Sequence, residues 1–135
     1  MSRRSERGAL AVWTAVGLLA FMLALGIGVD FSGHTRTVQE LHGIAREAAR
    51  TGTQEADVVV DAPNLHASAA VRAARAYLRD GGHDGSVRGL GPTRIQITLR
   101  KDYECRFLSV IGVRTLRAEV TETSEMQPAF SADGP

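Results

Sequence analysis

Four histidines and a single cysteine are the first residues to test for chemistry in this 135-residue chain. His34, His42, His66 and His83 are metal-ligand types. No two of them stand four apart, the spacing by which one helix face presents a pair of ligands. They read as scattered surface or loop side chains, and no metal is expected. Cys105 beside a histidine would be a thiol nucleophile. It also shares the parity of Ile95, Ile97 and Leu99, which makes it a buried structural thiol if that strand is unbroken. One cysteine excludes an internal disulfide framework and leaves an intermolecular bridge as the minor option. Gly81-Gly82 ends a helical pattern, and Gly85, Gly89 and Gly91 fall in a hairpin region, so no strand-to-helix phosphate loop is present. Asp102 and Glu104 are close, but they lie near a strand end, where carboxylates are solvated. No catalytic residue, cofactor or small-molecule substrate follows, and the chain is expected not to be an enzyme.

The elements around these residues explain more. Between Arg7 and Asp30 lie 22 residues, Gly8 to Val29, without an ionisable side chain. As one helix they extend roughly 33 Å, enough to cross a bilayer core. Such a run serves as a cleaved export signal, a membrane anchor or the shaft of a polymer subunit. Its length exceeds a secretory h-region, and Ala24-Leu25-Gly26 is a poor cleavage pattern. Arg3 and Arg4 lack the apolar residues of a twin-arginine signal. A retained helix is therefore expected. Arg3, Arg4 and Arg7 place the N-terminus in the cytoplasm and the rest outside. Formal net charge is +1, with no electrostatic argument for nucleic acid. Ala20, Ala24 and Gly28 recur every four residues and offer either a close helix–helix contact face or the ordinary composition of a membrane helix. Asp30 fixes helix depth or pairs with a neighbouring subunit, or else it simply ends the apolar span.

Beyond Asp30, Phe31-Ser32-Gly33-His34 reads as a break or soft joint. Val38, Leu41, Ala45, Ala48 and Gly52, with Ile44 beside them, form an amphipathic stripe continuing the membrane helix. Residues 51–63 read as a loop, with Asn64 as the N-cap of a second helix reaching Arg79. Its polar stripe is Ser68, Arg72, Arg75 and Arg79. Leu65, Ala70, Val71, Ala74, Tyr77 and Leu78 face inward. The period then becomes two: Ile95/Ile97/Leu99 and Leu116/Ala118/Val120 mark strands, with a weaker one over 86–90. Between them, Phe107 to Ile111 is either core folded under the helices or an exposed apolar patch. The fold class is α+β. A long N-terminal membrane-spanning helix is extended by an amphipathic helix, followed by a second helix and a small, about three-stranded, antiparallel sheet. The spans are a basic cytoplasmic tail (1–7), a transmembrane helix (8–29), an extracytoplasmic domain (30–122) and a flexible tail (123–135).

In organisation the chain resembles the TadE/TadG-like family of the Flp pilus (tight adherence) assembly system, whose members are small pilin-like membrane proteins. Arg7-Gly8-Ala9-Leu10-Ala11-Val12 stands where the family often has Arg-Gly-Ser-Ala-Ala-Val. Val29-Asp30 stands where many members carry an acidic residue at the outer helix end. Ala45, Ala48 and Ala49 match an alanine-rich continuation, and residues 95–120 match a closing strand–apolar loop–strand pattern. The resemblance implies a processing site at Gly8 and Ala9. A pilin-like precursor has a glutamate five residues beyond the cut. Here that position is Trp13, which reads as an interfacial anchor. The resemblance further implies membrane lipid and other pilin-like subunits or Tad secretion components as partners. The different-class alternative is a membrane-tethered binding or sensing module unrelated to pili.

Overall fold

The computed structural model describes the backbone of residues 3–58 and 63–125, and side chains over 8–55 and 67–125. Helix α1 (Arg3–Val58) is followed by α2 (Pro63–Asp80), β1 (Gly85–Gly89), β2 (Arg94–Glu104), a 3-10 turn (Leu108–Ile111) and β3 (Thr115–Glu125). This is the expected α+β layout, with a long apolar helix, a second helix and a three-stranded antiparallel sheet in the order β1-β2-β3.

The chain divides into two compact units, drawn differently from the spans read along the sequence. One combines Met1–Thr35 with Tyr103–Leu116, and the other combines Arg36–Asp102 with Arg117–Pro135. In the second unit, β1 pairs antiparallel with β2 so that Val87 faces Ile97. The β2–β3 register shows in its side-chain pairs: Thr98 with Thr121, Arg100 with Glu119, and Asp102 with Arg117. Alternation puts Ile95, Ile97, Leu99, Ala118 and Val120 on the opposite, buried face. Leu41, Ala45 and Ala48 of α1 and Ala70, Ala74 and Leu78 of α2 complete that core. The alanines and Gly52 let the helix backbones come close. A Cβ on Gly52 would stand 2.8 Å from the Ala70 carbonyl oxygen.

Helix α2 ends as its Gly-Gly pair predicts. Gly82 adopts φ +67°, and the N–H groups of Gly82 and His83 donate to the carbonyls of Arg79 and Leu78. Its expected polar stripe is exposed. Ala70, Ala74 and Leu78 are buried, Val71 and Tyr77 partly so.

Four local expectations are corrected. Residues 31–34 do not break α1, which is continuous through them. Gly33 is needed instead for a close approach, because a Cβ there would collide with the Tyr103 ring. The loop expected from Thr51 is helix through Val58. Asp61 and Ala62 lie outside the described residues. Asn64 is not the cap: α2 starts at Pro63, whose fixed φ and missing N–H suit a first turn. Thr123 to Glu125, expected to open the tail, belong to β3, and residues 126–135 lie outside the described residues.

Two glycines of α1 should respond oppositely to one substitution. Gly43 is exposed, with nothing within 4 Å of an added Cβ, so Gly43→Ala should stabilise by about 0.5–1 kcal/mol through helix propensity. Gly52→Ala should destabilise, because the atom it meets is backbone. Denaturant unfolding of the full chain in mild detergent checks both signs.

Candidate functional site

Among the described side chains, the residues singled out for metal or thiol chemistry are not gathered. His42 Nδ1 lies 2.7 Å from Glu122 Oε1. His34 meets Tyr103 edge-on with ring centroids 6.5 Å apart. His83 follows the α2 cap, and His66 lies in α2. Among the described residues no group of three His, Cys, Asp or Glu is placed to hold a metal. Asp102 pairs with Arg117 at 3.5 Å across the outer face of the sheet. Cys105 is buried one residue past the end of β2, and its N–H donates to the Arg114 carbonyl at 2.8 Å. Burial, and secondarily the negative charge of Asp30, push its thiol above the usual cysteine value. It therefore stays protonated at neutral pH and is a poor nucleophile.

The unit's organising residue is Asp30. It is fully buried, inside α1 and one position past the apolar run. Its Oδ1 accepts the Arg106 N–H at 2.8 Å. Its Oδ2 accepts those of Phe107 at 2.8 Å and Leu108 at 2.7 Å. These amides open the 3-10 turn Leu108–Ile111, whose N-cap residue, Phe107, has no side-chain cap of its own. Asp30 is thus a cap supplied from a distant helix. The far end of the turn closes on Gly112 at φ +95°, with the Gly112 and Val113 N–H groups donating to the Ser109 and Leu108 carbonyls. Asp30 does more than end the span, since both of its oxygens accept backbone amides.

Desolvation alone pushes the Asp30 carboxyl up. The amides of Leu108, Arg106 and Phe107, and then the Arg106 charge, pull it down and win, leaving it below its ordinary value. A depressed carboxylate contributes stability above its unfolded value and loses it as pH falls through the folded one.

Around this clamp the apolar turn is not core. Phe107, Val110 and Ile111 are exposed, which overturns the buried alternative read from sequence. Nor does α1 meet this turn through Ala20, Ala24 and Gly28. All three are exposed, and nothing lies within 4 Å of a Cβ added at Gly28. The small residue used is Gly26, where a Cβ would stand 2.7 Å from the Phe107 side chain. Gly8 and Ala9 are exposed in the first turns of the helix. A carboxylate at the end of an apolar run was visible in the sequence, but its partners, 76 to 78 positions away, carry no side-chain signal because they are backbone amides. No family model, curated protein or solved structure matches this chain.

Asp30→Asn should loosen the turn, because its amide nitrogen is a donor and cannot accept an N–H where the second carboxylate oxygen did. Hydrogen exchange should show lost protection at the Arg106, Phe107 and Leu108 amides. In the unsubstituted chain the same amides should lose protection progressively as pH falls below about 3.8, the ordinary carboxyl value.

Proposed function

We propose that this is a single-pass membrane protein of pilin-like build, taking part in assembly of a Flp/Tad-type pilus or secretion system through helix and domain contacts. The observation that carries the reading is α1 itself. It is one 56-residue helix, and the stretch Gly8–Glu55 contains a segment long and apolar enough to cross a membrane. That apolar segment is almost wholly uncovered: Trp13 is 75% exposed, Leu10 67% and Phe21 60%. A core helix of a water-soluble domain would bury such side chains. The same helix then buries Leu41, Ala45 and Ala48 against a small sheet. The short Arg7-Gly8-Ala9 and Val29-Asp30 resemblances to the TadE/TadG-like pattern are what favour pilus assembly over a tethered sensing module.

In this reading the basic N-terminus is cytoplasmic and the mixed α+β part extracytoplasmic. The helix holds the protein in the lipid before assembly. The uncovered Ala20, Ala24 and Gly28 then admit a helix of another pilin-like subunit at close range. Nothing in this role requires a catalytic residue, and movement would be driven by the assembly machinery.

Intact mass of the protein from native membranes, and from sheared surface filaments, tests the reading. Loss of the first eight residues with recovery in filaments is the expected result for a processed minor pilin. A full-length mass confined to membranes would make it a permanent assembly component. A mass lacking the whole apolar segment would overturn the proposal.

A further inference from the structure

Between Arg106 and Arg114 lies an apolar turn that its own compact unit leaves bare. Phe107 is 47% exposed, Val110 77% and Ile111 61%. Its height along α1 is fixed twice. Asp30 holds the backbone N–H groups of residues 106 to 108, and Phe107 fills the notch left by Gly26. Gly26 lies inside the apolar run, four residues before Asp30, or roughly 6 Å along the helix axis. Beside it, Leu25, Ile27, Val29 and Phe31 are exposed as well. Turn and helix therefore belong to one compact unit and present apolar side chains at the same level. Whatever medium surrounds residues 25–29 surrounds Phe107 too.

We infer that residues 107–113 are a second membrane-inserted element, a wedge lying in the interfacial layer of the bilayer beside the end of the α1 span. The inference rests on the reading of α1 as a membrane helix. Irregular backbone is costly in lipid because its polar groups find no water there. Here six of the N–H groups between Arg106 and Val113 are provided for. Asp30 takes three N–H groups, and those of Val110, Gly112 and Val113 donate to the carbonyls of Phe107, Ser109 and Leu108. Ser109 Oγ donates to the Arg106 carbonyl at 2.7 Å. The exposed Arg106 and Arg114 stand at the two ends of the wedge, where long cationic side chains reach headgroup phosphates while apolar neighbours sink.

Tryptophan quenching tests this directly, since Trp13 is the only tryptophan in the chain. The full chain is reconstituted in phosphatidylcholine–phosphatidylglycerol vesicles with brominated acyl chains. Native Trp13 reports on the helix. In a Trp13→Phe background, Val110→Trp and, separately, Ile111→Trp report on the wedge, both at exposed positions that accept the larger ring. Expected is strong loss of emission to the brominated chains, with little loss to acrylamide in the water. Quenching by acrylamide but not by bromine would put the turn in water and overturn the inference while leaving the membrane helix intact. Shielding from both would mean a protein contact and would overturn it equally. If Trp13 itself escapes the brominated chains, the span reading fails and the wedge falls with it.

Discussion

A carboxylate with no exposed surface, accepting three successive backbone amides, is the interaction on which the N-terminal unit of this protein depends. The first N–H groups of any helical turn have no partner within the turn, and the turn after Arg106 has no capping side chain nearby. Asp30 answers both needs from α1. An ionised carboxylate is an acceptor only, with two oxygens, so one residue can receive all three donors. A hydroxyl or amide could not. Position matters as much as type. Asp30 comes immediately after the apolar run, where a buried charge can be offset by amides without being carried deep into hydrocarbon. Burial, and after it the same charge, push the neighbouring Cys105 thiol above its usual value.

Close approach to a single long helix is the second constraint, and small residues meet it in each unit separately. Gly26 and Gly33 make room for Phe107 and Tyr103 in the first unit. Ala45, Ala48, Ala49 and Gly52 do so for the core of the second. In both, what the helix lacks beyond Cα decides how near its partner comes. In the apolar segment, Ala20, Ala24 and Gly28 are left uncovered. In the assembly role proposed above, such an open face would admit a partner helix at close range. The sheet contributes a contrasting surface: its outer face carries paired charges and hydroxyls, such as Arg100 with Glu119, that suit water.

Much of this was readable from residue order. An uninterrupted apolar run of the right length, an apolar stripe from Leu41 to Gly52, a Gly-Gly stop and two alternating strands determine the element types, because each depends on local periodicity or on backbone freedom at one position. The helix boundaries were less legible. Gly33 and Thr51 look like interruptions in a string of letters, yet α1 runs through both, since a helix tolerates a weak former when packing rewards it.

The clamp was decided only in three dimensions. Asp30 is one acidic letter after an apolar run, and its partners are main-chain amides that every residue but proline carries. Nothing in their side chains marks them. The fate of Phe107 to Ile111 was likewise undetermined, because an apolar stretch reads the same whether it fills a core or faces outward. Periodicity gives each segment a face, but it does not say what the face meets. Contacts between residues tens of positions apart arise when the chain folds, and they set which small residues are used, which carboxylate is buried and which apolar side chains stay bare.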